Sequence, residues 1–252
     1  MSFDVSAEAY LRFIGRYSEP LAARFADLAG VRPGQRALDV GCGPGALTAE
    51  LVKRIGAESV SAVEPSASFA AAVRDRLPGV DVRRSAAEQL PFPDDAFDVA
   101  LAQLVVHFMA DPVQGLREMR RITRPGGTVA ACVWDHAGER GPLAAFWAAV
   151  RELDPDAADE SELAGVREGD LARLFTQAGL NSVQAGALTV RVRHASFDDW
   201  WERFTLGVGP AGIYVTSLTA ERRTALREQC RRLLPAAAIE ITAVAWAVSG
   251  RS

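Results

Sequence analysis

Hydrophobic positions recur at helical spacing near the start of the chain. Ala7, Tyr10, Leu11 and Ile14 share one helical face, and Leu21, Phe25 and Leu28 repeat the pattern beyond Pro20. This predicts two helices over residues 4–30, divided at Pro20, stopped by Gly30 and followed by a turn at Val31-Arg32-Pro33-Gly34. A different rhythm follows. Short apolar runs at 37–40, 60–63, 80–82, 97–103 and 128–134 alternate with helical stretches at 46–55, 66–76 and 112–122. Strands alternating with helices build a parallel sheet covered on both faces, and strands buried on both faces read as short apolar runs. Beyond Trp134 the rhythm weakens. Helices are predicted at 142–152 and 170–178, a strand at 183–192, helices at 197–204 and 219–233, and a last strand at 239–248. The acidic stretch 154–168 reads as a solvated loop. The two helices between the last two strands read as an insertion before a closing edge strand. One α/β domain is expected over 1–252. It comprises an N-terminal helical lid (1–34), a core (35–135) and a C-terminal portion (136–252) whose helical insertion covers about 194–235.

Composition narrows the function. The chain has 252 residues, is 49% hydrophobic and 24% charged, and carries a formal charge of −4, so it is globular and lacks the basic field that general nucleic-acid binding requires. Lys53 is the only lysine among 28 basic residues, which removes any Gly-Lys-Ser/Thr phosphate loop and any Tyr-x-x-x-Lys pair. A helical pattern places Lys53 on the surface. Cys42, Cys132 and Cys230 are odd in number and widely spaced, which argues against a disulfide framework or a zinc site; no metal is expected. MSFDVSAEAY has no charged region followed by an apolar stretch. The apolar run 236–248 is broken by Glu240 and too short to span a bilayer. A cytoplasmic protein without membrane insertion is expected, monomeric or homodimeric.

Candidate chemistry begins after the first β-run. Leu38-Asp39-Val40-Gly41-Cys42-Gly43-Pro44-Gly45-Ala46 joins that run to a helix. Its glycines allow positive φ and close approach of a ligand, and the helix behind offers unpaired N–H groups. Glu64 ends the second run, where a carboxylate can accept hydrogen bonds from a ribose diol. Gly41, Gly43 and Ala46 also satisfy the dinucleotide pattern G-x-G-x-x-G/A, so a nicotinamide oxidoreductase remains open at this point, as does a non-catalytic cofactor-binding module.

Four motifs in order point further. The stretch 38–45 resembles motif I of the class I S-adenosylmethionine-dependent methyltransferases, and Val63-Glu64-Pro65-Ser66 resembles their second-strand motif. The segment 86–98, AAEQLPFPDDAFD, and Arg124-Pro125-Gly126-Gly127 look like the family's next motif and its characteristic turn. The likeness covers residues 36–134 and is nearest to the ubiquinone/menaquinone-type C-methyltransferases and related small-molecule enzymes. It implies a Rossmann-like, seven-stranded, mostly parallel sheet with helices on both faces, S-adenosyl-L-methionine as cofactor, and transfer of a methyl group to a small-molecule acceptor by in-line substitution. Residue by residue it implies that Gly41, Cys42, Gly43 and Gly45 line the methionine portion and that Asp39 holds the loop and reaches the ammonium. Glu64 would bind the ribose, with Pro65 and Ser66 beside the adenine. Where the family often has an acidic residue this chain has Ala86; Ala87 can offer its backbone N–H and Glu88 can substitute. Gln103 and Leu104 follow at the end of the fourth strand.

His107, just past that strand, is the candidate general base, because its ordinary pKa near ~6.5 suits proton removal at neutrality. His136 and His194 have weaker claims. Tyr10 and Tyr17 on the lid, Trp134, and Trp200 on the insertion are candidates for a largely apolar acceptor pocket. Arg12 or Arg16 could pair with the cofactor carboxylate.

Overall fold

The structure, a computed structural model, describes residues 5–235 and 239–252. Residues 1–4 of the expected lid and 236–238 of the apolar run lie outside the described residues. The strands are β1 (Ala37–Val40), β2 (Val60–Val63), β3 (Asp81–Arg83), β4 (Phe97–Gln103), β5 (Thr123–Trp134), β6 (Asn181–His194) and β7 (Ile239–Arg251). They form one sheet in the order β3-β2-β1-β4-β5-β7-β6. β1 to β5 are parallel, whereas β7 is antiparallel to both β5 and β6.

The last strand is therefore not the closing edge strand that its place in the sequence suggests. It slots between β5 and β6, and β6 forms the edge. Burial explains the choice. Ala243, Ala245 and Ala247 of β7 are wholly buried, whereas the first half of β6 is largely exposed. The small, apolar strand takes the interior position.

Alternation along the central strands covers both faces. Val99 and Leu101 of β4, with Ala130 and Cys132 of β5, face a core built from the N-terminal helices, α3 (Ala46–Ile55), α6 (Ala144–Leu153) and the insertion. Ala100 and Ala102, with Val129, Ala131 and Val133, face α5 (Pro112–Ile122) and α7 (Asp170–Gln177). A third, smaller cluster packs α4 (Ala67–Arg76) against Ala62 and Val82. Period-2 burial on both faces is why these strands read as unbroken apolar runs.

The N-terminal segment departs from expectation in one respect. α1 (Ala7–Tyr10) passes into a π-helical turn, Leu11–Gly15, and then into α2 (Arg16–Leu28). Pro20 lies inside α2 and does not break it. A proline there deletes the hydrogen bond to one upstream carbonyl, and complete burial of Leu21, Ala22 and Phe25 holds the helix through the gap. The widened turn sits earlier, where Phe13 and Ile14 enter the core. The insertion contains α8 (Phe197–Glu202), a 3₁₀ turn (Arg203–Leu206), α9 (Gly209–Ser217) and α10 (Ala220–Leu233). α9 escapes sequence reading because Gly209-Pro210-Ala211-Gly212 carries turn signals. Gly212 is there for space: a Cβ on it would lie 2.8 Å from the Gly207 carbonyl carbon. Lys53 is at the surface as expected, its side chain 80% exposed. Among the described residues no helix is long and apolar enough to cross a membrane.

Candidate functional site

A cleft opens at the carboxyl ends of β1, β2 and β4, where the strand order reverses between β1 and β4. Such switch points are where open α/β sheets bind ligands. The cleft holds about 1160 Å³ including its open mouth. Its floor is the loop after β1. Gly41, Gly43 and Gly45 all have positive φ, at 68°, 53° and 88°. The Gly41 and Cys42 N–H groups donate to the Val63 carbonyl at 2.9 and 3.0 Å, which folds the loop back over β2. A Cβ on Gly41 would lie 2.3 Å from Val105 Cγ2, so only glycine lets the loop approach the β4 exit. A Cβ on Gly43 would meet nothing within 4 Å, so its bare backbone faces open space. Gly45 does not line the cleft as expected. It is the left-handed N-cap of α3, and its carbonyl accepts from Arg76 Nη2 at 2.7 Å.

Two carboxylates anchor this floor. Asp39, buried at the end of β1, accepts from Thr48 Oγ1 at 2.6 Å. Burial outweighs that bond and, with Glu64 nearby, pushes its pKa up to about 7. Glu64 Oε2 accepts from the Gly43 N–H and Oε1 from the Ser66 N–H, both at 2.9 Å. Burial raises its pKa as well, against the pull of the two N–H donors. Glu64 therefore braces the glycine loop and the entry to α4 at once. Each carboxylate oxygen keeps acceptor capacity toward the cleft. Ser66 caps α4 and does not line the cleft, contrary to expectation: its N–H is turned to Glu64, and its hydroxyl accepts from the Phe69 N–H at 3.5 Å. Cys42 lines the cleft, its thiol raised well above its ordinary range by burial and Asp39.

Pro65, Ala86, Ala87 and Glu88 form one wall, and Gln103 and Leu104 the other. Glu88 Oε1 accepts from the N–H groups of Ala110 and Asp111 at 2.7 and 3.2 Å, pinning the loop after β4 against the 86–88 turn. Gln103 Nε2 donates to the Ser18 carbonyl at 3.0 Å, tying α2 to the sheet, while its buried Oε1 has no protein partner among the described residues. Leu104 holds a positive φ of 61° at the strand exit.

A second, narrower pocket adjoins the cleft through shared walls, Tyr10, Leu104 and Phe108. Trp134, His107, His136 and Glu160 also line it. His107 is buried, and its pKa is held well below the ordinary value by burial and by His136, whose ring centroid is 6.0 Å away. His136 is lowered too, by burial, against the upward pull of Glu160, Asp159 and Asp135. Tyr10 bridges both spaces; burial, then Glu64 and Glu160, raise its pKa to about 12. Glu160 falls in the stretch read as a solvated loop, yet it is buried and accepts from Trp147 Nε1 at 2.9 Å. Loop composition conceals such burial, because no periodicity reports it.

Tyr17 and Trp200 do not belong to this pocket. Tyr17 is buried, and its hydroxyl is 2.8 Å from His194 Nε2, lining a separate cavity beyond Phe13. Trp200 is wholly buried in the core, beside Phe204. Arg12 and Arg16 are paired across to α8, with Glu202 at 2.8 Å and Asp199 at 2.7 Å, and do not reach the cleft. Long side chains on the lid were free to point either way; the acidic face of α8 decides it.

Residues 38–131 match the methyltransferase domain family. The chain is 38% identical over 108 residues to the ubiquinone/menaquinone biosynthesis C-methyltransferase UbiE of Vibrio campbellii, a match covering 40% of this chain and 42% of that protein. It is 32% identical over 151 residues to 2-methyl-6-phytyl-1,4-hydroquinone methyltransferase 2 of Oryza sativa subsp. japonica, covering 59% of this chain and 40% of that one. These matches span under half the length of the curated relatives. Residues 38–131 are thus similar to the methyltransferase domain of these proteins. The fold of the chain resembles solved structures at low identity. YcgJ of Bacillus subtilis has a TM-score of 0.59 at 19% identity, covering 94% of this chain and 98% of that one. Geranyl diphosphate C-methyltransferase of Streptomyces coelicolor A3(2) has 0.55 at 17% identity, covering 94% and 80%.

The cleft also includes Ser18, Leu47, Phe69, Ser85, Val105 and Met109, none of which sequence reasoning singled out. Phe108 carried the one available signal, its place beside His107. The Thr48–Asp39 bond offers a direct check. Thr48→Val should remove the hydroxyl that donates to Asp39, raise the Asp39 pKa further, and weaken S-adenosylhomocysteine binding by about 1 kcal/mol in calorimetry.

Proposed function

We propose that the whole chain is an S-adenosylmethionine-dependent methyltransferase that acts on a small molecule held in the pocket beside the cleft. When bound, the cofactor supplies a sulfonium-activated methyl group. The carrying observation is a bare glycine loop and a buried carboxylate on adjacent strands, with an unpartnered Gln103 Oε1 opposite. The vacant acceptors and open backbone fit a ligand with an ammonium end and a diol. Gly41, Cys42 and Gly43 hold the methionine moiety, Asp39 and Gln103 Oε1 attract the ammonium, Glu64 takes the ribose, and Pro65, Ala86, Ala87 and Glu88 surround the adenine. Gly45 and Ser66 shape the loop and the cap from outside the cleft. Tyr10, Leu104 and Phe108 separate donor and acceptor spaces, orient the acceptor and keep water out; His107 takes the acceptor's proton. Trp134 lines the acceptor space.

Of the named relatives, one is a ubiquinone/menaquinone biosynthesis C-methyltransferase and the other a hydroquinone methyltransferase, and the aromatic walls here support an acceptor of that general kind. The −4 charge supports a small molecule over nucleic acid. Three buried, unpaired cysteines suit the reducing cytoplasm, where the enzyme acts as a monomer or homodimer. We read the chain as one domain: lid 1–34, core 35–135, and a C-terminal portion (136–252) with the insertion at about 194–235.

Calorimetry with S-adenosylhomocysteine tests this reading, and pH sharpens it. Asp39 holds its proton below about pH 7 in the free protein. That raised pKa stabilises the fold at low pH, and the contribution is lost as pH rises from the unfolded value near ~4 toward 7. An ammonium beside Asp39 favours the ionised form, so binding below pH 7 releases a proton. Affinity should rise by up to about tenfold per pH unit toward 7 and then level off, with Glu64 acting in the same direction. Absence of binding at every pH would refute the proposal.

A further inference from the structure

We propose that the cavity between the N-terminal helices and the insertion is a second ligand site, which takes a monocarboxylate with an apolar body, of the aryl-alkanoic acid kind. The proposal goes beyond the methyltransferase reading and does not rest on it. The cavity holds about 560 Å³, a size typical of small-molecule sites. Leu11, Phe13 and Tyr17 line it from the N-terminal side, and Arg203 and Leu206 of the 3₁₀ turn line it from the insertion. It shares no lining residue with the cleft and only Phe13 with the pocket beside the cleft.

Arg203 carries the argument. It is buried, and its guanidinium lies over the Tyr17 and Phe204 rings, 4.9 and 4.7 Å from their centroids. Nη2 donates to the Pro142 carbonyl at 2.8 Å, and Nη1 reaches the Phe13 carbonyl only at 3.5 Å. Nε is buried with no hydrogen-bond partner among the described residues. The neutral Tyr17 hydroxyl also lies beside the guanidinium. The neighbouring carboxylates are engaged elsewhere: Asp199 with Arg16 at 2.7 Å, and Glu202 with Arg12 at 2.8 Å. Among the described residues Arg203 forms no ion pair. Burial lowers its pKa, but a guanidinium stays charged at neutral pH. Buried charges are paired as a rule, so a buried cation without a counter-ion, on the wall of a cavity, calls for an anion.

The surroundings select which anion. The pairs Arg12–Glu202 and Arg16–Asp199 each cancel, and Glu8 adds a carboxylate at the exposed mouth. One uncompensated positive charge suits a monoanion. The carboxylates of Glu8, Asp199 and Glu202 around the opening repel a phosphate dianion or a dicarboxylate. His194 adds no second cation: burial, then Arg203, lower its pKa to about 4, and its Nε2 is 2.8 Å from the Tyr17 hydroxyl. A planar carboxylate matches the guanidinium fork. Leu11, Phe13 and Leu206 give the rest of the ligand an apolar wall, which an inorganic anion leaves unused.

The test uses the full chain and a matched pair of probes, 4-phenylbutyrate and 4-phenylbutan-1-ol, at neutral pH. The acid should bind roughly tenfold or more tightly than the alcohol, as a charge-assisted bond to a desolvated cation requires. Its affinity should stay within about twofold when S-adenosylhomocysteine is added in excess, because the two sites share no residue. Failure of S-adenosylhomocysteine itself to bind would refute the methyltransferase reading and leave the acid site standing. Arg203→Met keeps an apolar side chain of similar length and removes the charge. It should fold, since replacing a buried charge by a well-packed apolar group is often neutral or better, and it should bring the two probes to within about twofold of each other. Leu206→Trp fills the partly exposed end of the cavity and leaves the cation in place; it should weaken the acid roughly tenfold or more and decides the matter if Arg203→Met does not fold. A cooperative thermal transition shows that a variant folds. Equal affinity for acid and alcohol in the wild type, binding of neither, loss of the acid on adding S-adenosylhomocysteine, an unchanged preference in Arg203→Met, or wild-type acid binding in Leu206→Trp overturns the site.

Discussion

Glu64→Ala should weaken S-adenosylhomocysteine binding by one to two orders of magnitude and lower the melting temperature of the free protein. Two effects add. The variant loses a charge-assisted contact to the ligand, worth roughly 1.5–3 kcal/mol. It also strips the Gly43 and Ser66 N–H groups of the acceptor each now has at 2.9 Å. Buried donors left unsatisfied cost about 1–3 kcal/mol each unless water reaches them. The loop would then lose the conformation that keeps Gly43 open to the cleft. Glu64→Gln separates the two effects: its one carbonyl oxygen can serve one of the two donors, while its NH₂ opposes the other. It should fall between wild type and alanine in both calorimetry and thermal denaturation. Wild-type affinity in Glu64→Ala would mean that this carboxylate only braces the loop.

Glu64 and the glycine loop it braces were legible because the signal there is local. Gly41, Gly43 and Glu64 are fixed by backbone needs, positive φ and a strand end, that sequence spacing reports directly. The central strands were legible for a related reason: burial on both faces leaves an uninterrupted apolar run. What was not legible depends on partners distant in the chain. Tyr17 and Trp200 carry the same aromatic signal as Tyr10 and Trp134, yet the first bonds to His194 and the second is sealed in the core. Nothing in their neighbours separates the two outcomes. Glu160 looks like any acidic loop residue until α6 brings Trp147 to it. The antiparallel placement of β7 between β5 and β6 is likewise a competition among strands for the interior, decided by the buried alanines of β7. Ser66 and Gly45 show a subtler limit. Both lie inside recognisable motifs, but they act one step from the cleft, by capping a helix and by turning the chain.

His107→Ala should lower the turnover number by about 10²–10⁴ on any acceptor that the wild type methylates, the usual span for loss of a general base. Its affinity for S-adenosylhomocysteine should stay within about twofold of wild type, because His107 does not line the cofactor cleft. The pH profile carries the sharper information. Burial and His136 hold the His107 pKa well below its ordinary value, so the ring is neutral and able to accept a proton throughout the neutral range. The His107-dependent rate should therefore stay flat through pH 6.5, where an ordinary histidine would lose half its activity. Any fall in affinity just below pH 7 then belongs to Asp39 and not to His107. His107→Asn completes the argument. Its amide places a polar atom near the position of Nδ1 but has no basicity, so it should lose turnover as alanine does. Wild-type turnover in His107→Asn would reduce His107 to holding the acceptor, and the proton would have to leave by another route.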